Sequence, residues 1–480
     1  MNTPQNLVAG TWQTAAAIPG RCNTDPNTGE VRHPMVTTSP ADVERALATA
    51  DDLHRAGQWQ AFPEGARAEA LRRIADFLEE RIEDIAVEDS LTSGVPITTT
   101  RLVAGFIPGR FRTAAEDCLA QPRLRKLEAS GRDVRLLRLP WGPAAVLTPW
   151  NAPSFIAASK IASALAAGCP VLFKPSEWAA STARVLAEAV VHAELPPGAF
   201  QVLHGAGDVG AALASDRRVK IVCFTGGSVA GRSIARAAAE DFKVLQLELG
   251  GNNPVLVLRD ADVSATAASL ARGMTLLNGQ WCEGPGKVLV HRDLVGELTD
   301  ALAAQLAQIT VGPSLEVASE LGPLSHEAHR DRLVGQIEGL RARGATIVQP
   351  ATVARTPGWF LPATFSVGTD PDSATEELFG PVLSVHAVDS DEAALEHANR
   401  HPSGLDAYVY GQDTEHALDI AARVLSGEVR VNGAHLADLG EDSAQSFWGE
   451  SGIGGHGPAE SARVFSGTRV VGVDSEDLVI

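Results

Sequence analysis

Three groups in this chain could do covalent chemistry: a cysteine among small and polar residues, an acid among leucines and glycines, and an asparagine between two prolines. Cys282 stands in Asn278-Gly279-Gln280-Trp281-Cys282-Glu283-Gly284-Pro285. The thiolate is the nucleophile, and a free thiol with a pKa of about 8.5 is mostly protonated at neutral pH. A working Cys282 is therefore expected beside backbone N–H groups or charge that favour the anion. Cys118, Cys169 and Cys223 lie in apolar stretches and read as small buried hydrophobes. Glu248, in Leu247-Glu248-Leu249-Gly250-Gly251, has apolar neighbours on both sides. Desolvation there is expected to raise its carboxyl towards neutrality and suit it to general-base work. Asn151, in Thr148-Pro149-Trp150-Asn151-Ala152-Pro153, is placed to cap a helix beginning near Ser154.

Residues suited to holding a ligand lie around these groups. Phe224-Thr225-Gly226-Gly227-Ser228 joins a strand to a helix, where glycines let a backbone approach a phosphate at the helix N-terminus. Lys174 and Glu177 follow another short apolar run, where alone they would be a solvated ion pair. Gly205-Ala206-Gly207-Asp208-Val209-Gly210 spells G-x-G-x-x-G, but no acid closes a following strand at the usual distance. It reads as a turn and helix start, with Gly210 serving close packing.

The elements that must position these groups alternate. Ala144–Leu147, Val171–Phe173, Phe200–Leu203 and Lys220–Phe224 read as strands, with helices over Phe155–Ala167, Ser181–Ala193 and from Ser228. Such alternation predicts a parallel sheet covered on both faces, with ligands at the carboxyl ends of its strands. A second alternating region runs from about Val255 to Val431, with helices over Leu294–Ile309 and His326–Ala342. Ser39-Pro40-Ala41-Asp42 is a helix start. Leu71, Ile74, Ala75, Leu78, Ile82 and Ile85 share one face of a helix that Gly94 would end. Leu124–Leu139 suggests a hairpin around Ser130-Gly131, and Thr468–Val473 a short strand.

At 480 residues the chain can hold two or three domains, and 45% hydrophobic with 21% charged residues is ordinary for a globular protein. A net charge of −19 offers no basic stripe for nucleic acid or an anionic membrane. No apolar run is long enough to span a bilayer, and no secretory signal is visible at Met1-Asn2-Thr3-Pro4-Gln5. Five scattered cysteines make neither a disulfide framework nor a zinc site. The expectation is a cytoplasmic protein without metal, nucleic-acid or membrane partners.

Taken in order, Thr-Pro-Trp-Asn-Ala-Pro, Lys174 with Glu177, Phe224–Ser228, Glu248-Leu249-Gly250-Gly251, Cys282 and Glu377-Leu378-Phe379-Gly380-Pro381 resemble the aldehyde dehydrogenase superfamily over most of the chain. The resemblance implies an α/β fold: a Rossmann-like NAD-binding domain over 1–123 and 140–249, and an α/β catalytic domain over 250–431. It further implies a small β oligomerisation element over 124–139 and 463–480, a return segment over 432–462 near the active site, and a homodimer or homotetramer.

By the same resemblance Cys282 is the nucleophile, Asn151 an oxyanion donor and Glu248 the base that activates water on a cysteine thioester. The activity implied is NAD-dependent oxidation of a small-molecule aldehyde to an acid. The alternatives are acyl transfer to coenzyme A, against which Glu248 speaks, and a non-catalytic NAD-binding protein. Thr148, Pro149, Trp150, Gly210, Gly226, Gly227, Ser228 and Leu249 would line the cofactor, Lys174 and Glu177 would bind the adenosine ribose, and that carboxylate favours NAD over NADP. Glu377 would contact the nicotinamide ribose and Phe379 the nicotinamide, although both could instead be a strand entry with a buried ring. Asn432 matches a position near the active site or is structural. Gly227, Val229 and the Ser446–Ser451 loop depart from the family pattern. Trp281 and Trp448 are expected at the substrate tunnel, where the Trp281 ring either selects substrate or packs into the wall.

Overall fold

Short apolar runs bounded by turns become the central strands of two sheets. In the first, Ala144–Leu147 and Val171–Lys174 are buried at every residue, as strands covered on both faces must be. The computed structural model describes residues 3–128, 132–351, 353, 357–437, 439–440, 443–457 and 463–474. The first sheet runs in the order Thr11–Thr14, Gln5–Val8, Phe200–Val202, Val171–Lys174, Ala144–Leu147, Ile221–Gly226, Val244–Leu249, Gly452–Ile453. Its interior pairs are parallel, and its edges are closed by antiparallel strands. The second runs Thr346–Val348, Thr364–Val367, Val382–Val388, Lys287–His291, Pro254–Val257, Asp406–Tyr410, Glu428–Val431, antiparallel only at its first pair. Strand Val244–Leu249 ends the first sheet's parallel run and Pro254–Val257 lies inside the second, so Gly250-Gly251 carries the chain between them.

Leu124–Leu127, Val134–Pro140 and Ser466–Gly472 form a separate three-stranded antiparallel sheet. The expected turn at Ser130-Gly131 and the end of the 463–480 segment lie outside the described residues. Among the described residues no helix is long and apolar enough to cross a membrane.

The alternating strand–helix reading holds, with shifts of a few residues at the ends. Helix Pro40–Arg55 has the expected start, since Ser39 accepts from the Asp42 N–H and proline opens the first turn. The single helix expected to reach Gly94 is two, Glu64–Glu79 and Ile82–Ser93, broken at Arg81. Leu71, Ile74, Leu78 and Ile85 all enter one hydrophobic core, so the apolar spacing continues across a break it cannot reveal. The N-terminal strands Ala16–Thr24 and Val31–Thr37 gave no sequence signal, because much of the first is exposed and their pairing is interrupted by register shifts.

Candidate active site

The thiol is presented by a strained loop. Leu277, Asn278 and Gly279 have φ of 50°, 58° and 67°, so two side-chain-bearing residues stand in the left-handed region that L residues avoid. Buried amides hold this geometry. Asn278 donates to the Gly94 and Pro323 carbonyls at 2.8 and 2.9 Å and accepts from the Gly322 N–H at 2.9 Å. Gln280 donates to the Ser93 carbonyl and accepts from the Ser325 N–H, each at 2.9 Å. On the far side of the thiol, Asn253 Nδ2 donates to the Cys282 and Gly284 carbonyls, both at 2.8 Å. The loop is thus fastened before Cys282 by its own amide side chains and after it by Asn253.

The structure brings Cys282, Glu248 and Asn151 together. Cys282 Sγ donates towards Glu248 Oε1 at 3.9 Å. Asn151 donates one amide N–H to the Gln280 carbonyl at 2.9 Å, which leaves its second N–H for an incoming oxygen. The Cys282 backbone N–H has no acceptor among the described residues.

The electrostatics correct both protonation expectations. Burial pushes the Glu248 carboxyl up, but Lys160 and His456 outweigh it and hold the group below the ordinary carboxylate range. Lys160 Nζ lies 2.9 Å from Glu248 Oε2, with both side chains 8% exposed. The Thr225 hydroxyl donates to the same oxygen at 3.2 Å, and His456 Nδ1 stands 3.8 Å away. Burial raises the Cys282 thiol well above its ordinary value, and Glu248, Glu283, Glu377 and Asp406 raise it further. At rest the pair is therefore a protonated thiol facing a carboxylate. A proton acceptor is present, but an electrostatic field that favours thiolate is not.

Sequence reasoning missed Lys160, Gln246, Glu283 and His456. Lys160 sits on an otherwise apolar face of helix Pro153–Ala167, and a lysine within a buried helix is the signal that could have marked it. Gln246 accepts from Lys160 at 3.3 Å and donates to the Gly455 carbonyl at 2.6 Å.

The predicted cofactor residues gather at the carboxyl ends of the first sheet. Helix Ser228–Ala239 starts directly after strand Ile221–Gly226, and Gly227 provides no side-chain cap. A Cβ at Gly227 would meet nothing, so the space beside the helix start is open on that side, and a helix start suits an anion. Thr148 Oγ is buried without a partner among the described residues, while Pro149 and Trp150 are half-buried beside it. Lys174 Nζ is buried 4.0 Å from Glu177 Oε2, and Gly210 lies against the Lys174 side chain. Burial pushes the Glu377 carboxyl up to about 7. A Cβ at Gly250 would lie 2.1 Å from Glu377 Oε2, so a side chain there would force that carboxylate to move. Phe379 meets the Trp150 ring edge-on at 5.6 Å between centroids. An orphaned hydroxyl, an uncapped helix and an amine–carboxylate pair suit a dinucleotide. Leu249 packs on Gly231 and donates its backbone N–H to the Ser451 carbonyl. Asn432 ties both amide ends to Gly411, a structural role.

Trp281 is 5% exposed and packs with Val95, Val103 and Leu277 beside Ala152, Phe155, Leu276, Leu436 and Cys282 itself. Arg110 covers the Phe155 ring, its Cζ 4.8 Å from the centroid. Trp448 is not in this apolar wall; it is 47% exposed and pairs with Gly404.

The aldehyde dehydrogenase family model matches residues 12–471. The chain belongs to the aldehyde dehydrogenase family. Among its relatives, a geranial dehydrogenase of Castellaniella defragrans is 34% identical over 438 residues, covering 90% of this chain and 91% of that one. A betaine aldehyde dehydrogenase of Cereibacter sphaeroides is 34% identical over 417 residues, 86% of each. The structure of a Staphylococcus aureus betaine aldehyde dehydrogenase in complex with NAD+ superposes with a TM-score of 0.94 at 26% identity, covering 100% of this chain and 96% of that one. This aldehyde dehydrogenase is accordingly an oxidoreductase with the α/β fold that its sequence implied.

Proposed function

We propose that the enzyme oxidises an apolar aldehyde to the carboxylic acid, with NAD as oxidant and water as acyl acceptor. The observation that carries this reading is the 3.9 Å approach of Cys282 Sγ to Glu248 Oε1. The thiol gives its proton to Glu248, and sulfur bonds the carbonyl carbon to form a thiohemiacetal. The free N–H of Asn151 and the Cys282 backbone N–H hold its oxygen. NAD, when bound, supplies the hydride acceptor, with Lys174, Glu177, Glu377 and the helix opening at Ser228 as its holders. Glu248, cleared of its proton, takes one from water as that water attacks the Cys282 thioester. The acid leaves and sulfur is regenerated.

Several observations support the finer reading. Glu177, a carboxylate beside Lys174, suits a free ribose hydroxyl and opposes a 2′-phosphate, which favours NAD over NADP. The wall of Phe155, Trp281, Leu276 and Leu436 suits an uncharged chain or ring. Arg110 on the face of Phe155 both occupies that ring and repels a cation, so a geranial-like enal fits better than betaine aldehyde. The exposed strand Ser466–Gly472, at the edge of its small sheet, suits pairing between subunits in a cytoplasmic homodimer or homotetramer.

NADH formation by the purified enzyme, across apolar and cationic aldehydes with and without coenzyme A, tests this reading. The expected result is turnover without coenzyme A, a higher kcat/KM for apolar aldehydes, and no turnover in Cys282→Ala. Turnover only with coenzyme A would overturn water as the acceptor, and preference for betaine aldehyde would overturn the substrate class.

A further inference from the structure

We propose that the hollow where helices Glu64–Glu79, Ile107–Ala120 and Pro153–Ala167 meet the small three-stranded sheet binds a phosphate group, either the free ion or a monoester. The hollow opens to solvent, measures about 460 Å³ and takes Gln60, Arg67, Asp117, Arg123, Arg138 and Ser466 into its lining. It shares no residue with the catalytic and cofactor sites described above.

Three guanidinium groups gather there. Arg67 is only 6% exposed. Its Nη1 donates to the Gln60 and Phe62 carbonyls at 3.1 and 2.7 Å, while its Nε is buried with no acceptor among the described residues. Arg123 Nη1 donates to the same Gln60 carbonyl at 3.3 Å, so two guanidinium groups converge on one oxygen. Arg138 stands across from Arg123: its backbone N–H donates to the Arg123 carbonyl at 2.7 Å, one step beyond the paired Leu124 and Leu137. Arg138 Nη1 is likewise buried with no acceptor among the described residues. Like charges opposed across an antiparallel ladder destabilise it, and a buried donor without an acceptor costs free energy. An anion in the hollow removes both costs at once.

The neighbouring acids do not answer this charge. Arg101, Arg218 and Arg423 each grip a carboxylate with two nitrogens, whereas none of these three forms an ion pair among the described residues. On a chain of net charge −19 that is a departure. Glu64 Oε1 accepts from the Arg123 backbone N–H at 3.1 Å. Burial, and then Glu116, raise the Asp117 carboxyl, and no arginine offsets them. Cys118, beside Arg67, gives its hydrogen to the Glu64 carbonyl at 3.6 Å, and burial keeps the thiol protonated. Planar guanidinium forks match phosphate oxygens in pairs, and a phosphate has oxygens enough to accept from all three arginines together. Arg67 belongs to a helix of the main body, while Arg123 and Arg138 belong to the hairpin of the small sheet. The bound anion therefore fastens one to the other.

The test uses the full-length enzyme saturated with NAD, so that the phosphate positions of the cofactor site are filled. Equilibrium dialysis against radiolabelled inorganic phosphate, at constant ionic strength, should show a single saturable site per chain. Arg138→Gln and Arg123→Gln keep a hydrogen-bond donor but remove the charge, and each should weaken binding by roughly 10- to 100-fold. Both variants should turn over aldehyde at the wild-type rate, which also shows that they fold. Phosphate should raise the thermal midpoint of the wild type above that in chloride of equal ionic strength. In the variants that difference should shrink to the general effect of an excluded salt. Displacement by glycerol phosphate at lower concentration than unlabelled phosphate would identify a monoester as the occupant, and weaker displacement the free ion. Absence of saturable binding to the assembled enzyme would overturn the inference, as would binding that both variants retain at wild-type strength.

Discussion

Replacing Lys160 by methionine should weaken the enzyme in a manner set by pH. Lys160 Nζ and Glu248 Oε2 are 2.9 Å apart with both side chains 8% exposed, and removing one partner of such a buried pair costs about 3–5 kcal/mol. In the variant, burial of Glu248 is opposed chiefly by His456, so its carboxyl moves up. The sign follows from linkage. In the native protein the depressed carboxyl contributes stability that is complete above its unfolded value of about 4.3 and is lost only as pH falls through the lower folded value. Lys160, whose own basicity is raised, stays charged throughout this range. The two proteins should thus differ little in strong acid. Their separation should grow by up to about 1.4 kcal/mol per pH unit until the variant's carboxyl ionises, then level off. Guanidinium unfolding followed by tryptophan fluorescence at several pH values between about 4 and 8 would measure it. In a Glu248→Gln background, Lys160→Met should lose most of its effect and all of this pH dependence. An equal loss at every pH that persists in that background would refute the electrostatic account and leave only packing.

Asn151→Ala should lower kcat by roughly 10²–10³ with little change in KM, because the lost amide acts on the oxyanion and not on the bound aldehyde; steady-state kinetics would show the split. Glu177→Gln should raise kcat/KM for NADP by about 10-fold, since a repelling charge goes and Arg21, 3.9 Å from Glu177 Oε1, is freed for a 2′-phosphate. Unchanged cofactor preference would displace Glu177 from the ribose site. Asn278→Ala should slow Cys282 alkylation and lower the thermal midpoint, because the left-handed loop loses three buried hydrogen bonds at once.

The sequence by itself determined the chemistry-bearing groups and the alternating architecture. Cys282, Glu248, Asn151, Lys174 and Glu177 sit in short motifs whose meaning is local: a glycine turn, a strand end, a helix start. Fully buried parallel strands such as Val171–Lys174 announce themselves as unbroken apolar runs. The exposed, irregular N-terminal ribbon and the break at Arg81 do not, since one lacks period-two alternation and the other interrupts no hydrophobic face. Protonation was beyond reach for a different reason. Sequence neighbours made Glu248 a desolvated acid with a raised carboxyl, whereas the fold sets Lys160, 88 positions away, against it and reverses the sign. His456 joins the same oxygen because strand Gly452–Ile453 pairs with Leu247 and Glu248 and brings the following residues alongside. Burial and charge act through space, so the motifs could mark the candidate groups, while their resting charge was decided only where distant side chains converged.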